Sequence, residues 1–170
     1  MKRGELSPAQ ARAAAAGGAM SLALAAAMAI SAVWEGNSLT PYHDPIGVWT
    51  VCRGETHVPM RPYTEAECDA IDRRRMTLRL QEVRELNPGI VADPLQWAAH
   101  ASLANNVGRA NYARSSTLRL YKQGRKREAC DAIRSWRLAG GKVWQGLVLR
   151  RTGDAARLGE IELCKKGLAA

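Results

Sequence analysis

Glu35, Asp44 and Thr50 stand nine and six residues apart within WEGNSLTPYHDPIGVWT, and they are residue types that could cleave a sugar–sugar bond. Such cleavage needs a carboxylic acid to protonate the leaving oxygen and a second group to hold the attacking water. Trp34, next to Glu35, would supply an apolar wall that keeps that carboxyl protonated. Asp44 lies in a turn rich in backbone amides and would stay ionised, which separates acid from base. Thr50 carries a hydroxyl, which is no base at neutral pH but can orient a water. On spacing alone, three polar residues in a solvated loop are the commoner explanation, because two carboxylates nine apart occur often.

The elements that must position these residues follow from the punctuation of the chain. Pro41, Asp44-Pro45 and Gly47 mark turns, and VWTV (48–51) is β-branched and aromatic, so the segment after Glu35 reads as a turn and short strands. From Thr64 the pattern becomes helical. Thr64 and Glu67 fit a capping box, with Tyr63 placed to staple the first turn, and the helix should run to about Leu86 before Asn87-Pro88-Gly89. Asp93-Pro94 reads as an N-cap with proline at the first helical position, and this helix should reach Gly108. A short helix from Ser115/Ser116 to about Gly124, an amphipathic one over 127–139 stopped by Gly140-Gly141, and a tail broken at Gly153 complete the pattern. The fold class is α+β, with a small β-lobe ahead of a mainly helical lobe.

Ahead of Glu35 lies an uncharged run of 22 residues, AAAAGGAMSLALAAAMAISAVW (13–34). Its length suits a helix crossing a hydrocarbon core of about 30 Å. Fifteen of the 22 are Ala, Gly or Ser and only four are Leu, Ile or Val, so it would sit in a bilayer with a small margin. Lys2, Arg3 and Arg12 against Glu5 favour a cytoplasmic N-terminus. The boundaries expected are 1–34 for the flank and membrane segment and 35–170 for the soluble domain. A retained, weakly anchored span, a signal peptide cleaved near AMA (27–29), and an alanine-rich buried helix all fit the run.

Composition narrows the partners. Lys+Arg 25 against Asp+Glu 16 gives a net charge of +9, a surface drawn to polyanions such as anionic lipid, an acidic wall polymer or nucleic acid. No RNP, zinc-finger or leucine-zipper pattern accompanies the charge, and the leader disfavours nucleic acid. Cys52, Cys68, Cys130 and Cys164 form no C-x-x-C pair, so structural zinc is not expected. Beyond a membrane-targeting segment, disulfides are the better reading. Three pairings are open, and Cys52–Cys68 with Cys130–Cys164 is favoured because each bond then stays within one half of the chain; four buried free thiols are the alternative.

The run from Glu35 to Thr50 also resembles the Glu-x8-Asp-x5-Thr motif of the phage-type lysozyme (endolysin) family. In order along the chain, GVWTVCRG (47–54), YTEAEC (63–68), NNVGRANYARSSTL (105–118) and AGGKVWQGLVLRR (139–151) resemble further segments of that family. The resemblance spans about 34–164 and implies a lysozyme-like fold acting on peptidoglycan, at the β-1,4 bond between N-acetylmuramic acid and N-acetylglucosamine. Glu35 would be the acid, Asp44 would stabilise charge and help hold the water, and Thr50 would complete the water site. No metal or cofactor is implied, and a monomer is expected. The leader resembles the signal-arrest-release segments of lambdoid phage endolysins. This implies export by the host secretion machinery, transient anchoring in the inner membrane, and release into the periplasm. Residues 1–51 contain no cysteine, so activation by disulfide exchange in the span is closed to this chain and refolding remains. The competing class is a membrane-tethered wall-binding protein without catalysis, which would have no need of the Glu35/Asp44/Thr50 spacing.

One departure is visible. The family's paired arginines are closely followed by a glutamate, whereas here TGDAARLG separates Arg151 from Glu160, a short insertion that leaves any role for Glu160 open. Arg150 and Arg151 read as ordinary surface charge, His43 as a surface turn residue and His100 as packed. Trp97, Trp136 and Trp144 read as core, and Asn106 as a residue of the cleft between lobes.

Overall fold

The computed structural model describes residues 8–44 and 47–168, with side chains from residue 17 onward. Helix α1 (Pro8–Trp34) ends immediately before Glu35. Strands β1 (Ser38–His43) and β2 (Trp49–Cys52) form an antiparallel hairpin, with Tyr42 opposite Thr50 and His43 opposite Trp49. Between Ser38 and Tyr42 the register slips where Pro41, lacking an N–H, interrupts the ladder.

Helix α2 (Glu65–Leu86) starts at the capping box expected for it: Thr64 Oγ1 accepts from the Glu67 amide at 3.2 Å, and Glu67 accepts from the Thr64 amide at 2.8 Å. Tyr63 packs beside Cys68 in a small core with Val51, Cys52 and Ile71. The Cys52–Cys68 bond joins β2 to α2 here, and Cys52 adopts a left-handed φ of 54°, uncommon for a residue with a side chain.

A 3₁₀ turn (Pro88–Ala92) leads into α3 (Pro94–Val107), the central helix, which is buried on all sides from Gln96 to Ala104. Asp93 precedes α3 as expected, but its carboxylate does not cap the helix. It accepts instead from the Tyr121 hydroxyl and from Lys126 Nζ, the latter at 2.6 Å, because α5 and α6 bring cationic and phenolic donors to it. Helices α4 (Arg109–Ala113), α5 (Ser116–Lys122) and α6 (Lys126–Ala132) follow, α4 packing on α3, α5 on α6 and α6 on the last helix of the chain.

The single helix expected over 127–139 is not formed. The chain leaves α6 through a 3₁₀ turn (Ile133–Ser135) and becomes β3 (Leu138–Ala139), paired with β4 (Lys142–Val143). Gly140 and Gly141, at φ 56° and 76°, make the two-residue turn that joins them, the backbone geometry that matches strand twist. Helix α7 (Gln145–Thr152) and helix α8 (Glu160–Lys166) follow, separated at Gly153. The bond Cys130–Cys164 ties α6 to α8, so both disulfides are the within-half pairs favoured above.

The main core is helical and includes α1. Ala23, Ala27, Ile30 and Ser31 are buried, a spacing of four, three and one that lays a single face against α2 and α3. Small side chains on that face share the core with Ala98, Ala99 and Ala101 of α3, and the two helices pack closely. The opposite face stays in solvent, with Leu22 52% and Val33 43% exposed. The segment Gly17–Trp34 has a mean hydropathy of 1.6 and the length to cross a membrane. One helix therefore combines the composition of a span with a face that fits the body.

Candidate active site

Glu35 is placed by the end of α1, whose hydrogen-bond ladder its amide continues by donating to the Ser31 carbonyl at 2.8 Å. The carboxyl does not face an apolar wall. Trp34 points elsewhere: its indole N–H donates to the Leu158 carbonyl at 2.8 Å, and Arg157 stacks over its ring at 4.1 Å. Around Glu35 stand polar groups from four elements. Arg75 of α2 lies 2.6 Å from Oε2 and Arg150 of α7 lies 2.9 Å from Oε1. Asn105 of α3 donates to Oε1 at 3.2 Å and Ser31 of α1 donates to Oε2 at 3.2 Å. Helix packing brings these charges inward, and this is why the neighbour in sequence does not set the environment.

Behind that shell is a buried network. Glu160, fully buried, accepts from Ser102 at 2.6 Å, from Arg150 Nε at 3.1 Å and from Arg151. Arg151 also donates to the Trp136 carbonyl at 2.8 Å and to Asn106. Arg150 and Arg151, 6% and 1% exposed, are thus interior anchors and not surface charges, and Glu160 is the carboxylate that holds both. The insertion ahead of Glu160 folds into a loop in which Asp154 pairs with Arg157 at 2.6 Å. A Cβ at Gly153 would fall 2.3 Å from Glu162 Oε2 and 2.8 Å from the Gly159 nitrogen, so the loop closes only on glycine.

On the α2 side, Arg75 also touches Asp72 at 2.6 Å and Glu55 at 3.1 Å, while Arg53 pairs with Asp69 at 2.7 Å and lies 3.8 Å from Asp72. The connected set holds five carboxylates (Glu35, Glu55, Asp69, Asp72, Glu160) against four guanidinium groups (Arg53, Arg75, Arg150, Arg151). With one carboxylate in excess, the set can hold a proton without stranding a cation.

Asp44 and Thr50 are organised by one residue between them. The Val48 amide donates to Asp44 Oδ1 at 2.8 Å, and Thr50 Oγ1 donates to the Val48 carbonyl at 3.0 Å. The six-residue spacing is what a hairpin loop needs for both side chains to tie to its far shoulder. Asp44 is half-buried and Thr50 is buried at 3% exposure.

Two cavities share Asn106 and Arg150 as a common wall. One, of about 490 Å³, is lined by Glu35, Arg53, Glu55, Arg75 and Asn105. The other, of about 910 Å³, is lined by Asp44, Trp34, Trp136, Trp144 and Arg157. Glu35 and Asp44 therefore open on neighbouring cavities joined at Asn106 and Arg150, and Thr50 lines neither of them. Among the described residues, no group of three or more His, Cys, Asp or Glu side chains is arranged to hold a metal ion.

Of the remaining residues singled out in the sequence, Asn106 is at the cleft and Trp97 is core. Trp144 is not core: it is 56% exposed on the wall of the larger cavity, beside the β3–β4 hairpin. His100 is fully buried and its Nδ1 meets the Tyr112 hydroxyl at 2.8 Å. His43 is exposed, with its ring 4.0 Å from that of Trp49. Sequence reading missed Arg75, Glu55, Asp72, Asn105 and Ser31. Ser31 stands one helical turn before Glu35 and Asn105 adjoins Asn106, so those two were within reach; nothing local distinguishes Arg75.

Comparison with known proteins bears on the whole arrangement. The family model described as phage lysozyme matches residues 32–154. The chain is 42% identical over 122 residues to a SAR-endolysin of Enterobacteria phage P21, covering 69% of this chain and 72% of that one. It is 41% identical over 122 residues to a SAR-endolysin of Bacteriophage PS119, covering 69% and 71%. Among solved structures, the active form of the P1 phage endolysin Lyz superposes with a TM-score of 0.71 at 24% identity, covering 84% of each chain. The muramidase domain of SpmX from Asticaccaulis excentricus superposes with a TM-score of 0.63 at 22% identity, covering 95% of this chain and 98% of that one. These structural likenesses establish the α+β fold.

Proposed function

This chain belongs to the phage lysozyme family, and on that footing we propose that it is an endolysin: a glycosidase that degrades peptidoglycan and lyses the host cell at the end of infection. The bond cleaved is the β-1,4 link between N-acetylmuramic acid and N-acetylglucosamine. The observation that carries the reading is the Glu35 carboxyl, 15% exposed at a cleft and held by Arg75, Arg150 and Asn105. A module that only bound the wall would need no carboxyl so restrained.

In this reading Glu35 donates its proton to the glycosidic oxygen as the bond breaks. Asp44, fixed by the Val48 amide, stabilises the positive charge that develops on the sugar and helps hold the attacking water. Thr50 spends its hydroxyl proton on the Val48 carbonyl and so completes the water site from behind, by holding the turn that carries Asp44. Arg75 and Arg150 hold the two oxygens of the Glu35 carboxyl. Proton donation therefore depends on how far those cations are engaged elsewhere, Arg150 by Glu160 and Arg75 by Asp72 and Glu55.

Residues 1–34 serve as flank and membrane anchor and 35–170 as the catalytic domain. Export through the host secretion machinery would leave α1 in the inner membrane and the rest in the periplasm, as a monomer. Leaving the bilayer is cheap for an alanine-rich span. Docking α1 on α2 and α3 then sets Glu35, because the acid is attached to the end of that helix.

The test is turbidity loss of outer-membrane-permeabilised Gram-negative cells at low salt, comparing the parent with Glu35→Gln at matched concentration. Clearing by the parent and none by the folded variant is expected. Clearing by both would mean another residue is the acid, and wall binding without clearing by either would favour the tethered binder.

A further inference from the structure

Glu35 is only one of three carboxylates that Arg75 serves. Arg75 Nη2 lies 2.6 Å from both Glu35 Oε2 and Asp72 Oδ1, and its Nη1 lies 3.1 Å from Glu55 Oε1. The same Nη1 donates to the Arg53 carbonyl at 2.8 Å, which fixes the guanidinium plane. Asp72 has a second cation, Arg53, at 3.8 Å. Glu55 pairs with no other cation among the described residues, and its buried Oε1 accepts no well-aligned hydrogen bond there.

Glu55 cannot drift away from this contact. Its backbone exchanges two hydrogen bonds of 2.9 Å with Val51, pinning it beside β2, and its side chain is only 14% exposed. Burial pushes the Glu55 carboxyl above its ordinary range; Arg75 and, after it, His57 oppose that rise, while Asp72 and Glu35 add to it.

We propose that Glu55 is a positioning residue for the lytic reaction, competing with Glu35 for Arg75 and so setting how firmly that guanidinium is held against the Glu35 carboxyl. The inference rests on Glu35 being the proton donor. When Glu55 is charged, Arg75 is divided among three carboxylates. When Glu55 is neutral, Arg75 is left to Glu35 and Asp72. Other charges face the pair: Arg150, backed by Glu160, from the α7 and α8 side, Arg79 from α2, and Arg53 and His57 from the loop after β2. Among the described residues, only Arg75 pairs with both Glu35 and Glu55.

The experiment is the pH–rate profile of wall lysis by the full chain, read at its alkaline limb, where the donor loses its proton. Glu55→Gln should move that limb down by about half a pH unit, the Coulomb scale for a unit charge one side chain removed in a mostly water-like dielectric. Arg75→Gln should move it up by about one unit, the low end for loss of a contacting charge. Glu55→Gln added to Arg75→Gln should move the limb by less than Glu55→Gln does alone, because only the direct repulsion between the two carboxylates then remains; an equal movement overturns the proposal. Glu55→Asp and Arg75→Lys keep the charges and should restore the parent limb, which also covers the case of an Arg75→Gln protein that does not fold. A merely structural role would lower the rate at every pH and leave the limb in place; that result, or an upward move in Glu55→Gln, overturns the proposal. A parent profile with no alkaline limb, or lysis by Glu35→Gln, would instead remove the donor assignment on which it rests.

Discussion

Replacing Glu160 by Gln should both destabilise the protein and shift its pH–activity profile, because this one carboxylate neutralises two buried cations. Glu160 is fully buried, and Arg150 and Arg151 are 6% and 1% exposed. The glutamine amide keeps one acceptor for the Ser102 hydroxyl, now 2.6 Å from Oε1, but turns donors toward the guanidinium of Arg151. Breaking a buried ion pair from one side costs about 3–5 kcal/mol. The isosteric change retains one acceptor, so we expect about 3 kcal/mol, which at this chain length lowers the thermal midpoint by roughly 6–12 °C. Urea unfolding with both disulfides oxidised would measure it. The companion variant Arg151→Gln removes one of the stranded cations, so in the double variant the two losses should fall short of their sum by more than about 1 kcal/mol. In activity, Arg150 loses its second partner and falls to Glu35, so the alkaline limb of lysis should move to lower pH. A loss below about 1 kcal/mol with additive variants would show that the Glu160 network is hydrated and weak, and would refute the reasoning.

Two further outcomes follow from other parts of the molecule. Burial pushes His100 down from 6.5 to about 4, with Asp93 opposing weakly. The unfolded chain therefore takes up a proton below pH 6.5 that the folded one refuses until about pH 4, so stability is full above that window and drains as pH falls through it. The drain from this group should be about 3 kcal/mol; His100→Gln, compared with the parent by urea unfolding at pH 7 and pH 4, should lack it, and equal slopes would contradict the assignment. Ala27→Leu places a branched side chain on the fully buried face of α1. Overpacking should cost the docked form about 1–3 kcal/mol while making the span more apolar, so more protein should remain in the membrane fraction and lysis should be delayed. Fractionation showing unchanged release would argue against α1 docking as the step that frees the enzyme.

How much of this was legible in the sequence depends on the range of the interaction that decides each feature. The start of α2 was readable because the cap is made by Thr64 and Glu67, three residues apart, through backbone hydrogen bonds that any chain with those residues can form. The Asp44–Thr50 spacing was readable for the same reason, since Val48 lies between them and ties both. The apolar run of α1 gave its length and membrane compatibility, but not its docked face. Alanine is small and nearly neutral in transfer, so the same run suits a bilayer and a close helix contact, and only packing against α2 and α3 selects the face. Gly140-Gly141 also had two meanings, a helix stop or a hairpin turn, and the pairing of β3 with β4 chose the second. The environment of Glu35 was wholly a tertiary matter. Arg75 is 40 residues away and Arg150 is 115, and their charges reach Glu35 only because α2 and α7 converge on the end of α1. A neighbouring tryptophan predicted an apolar wall; electrostatics act through space, and the packed helices supplied two cations instead.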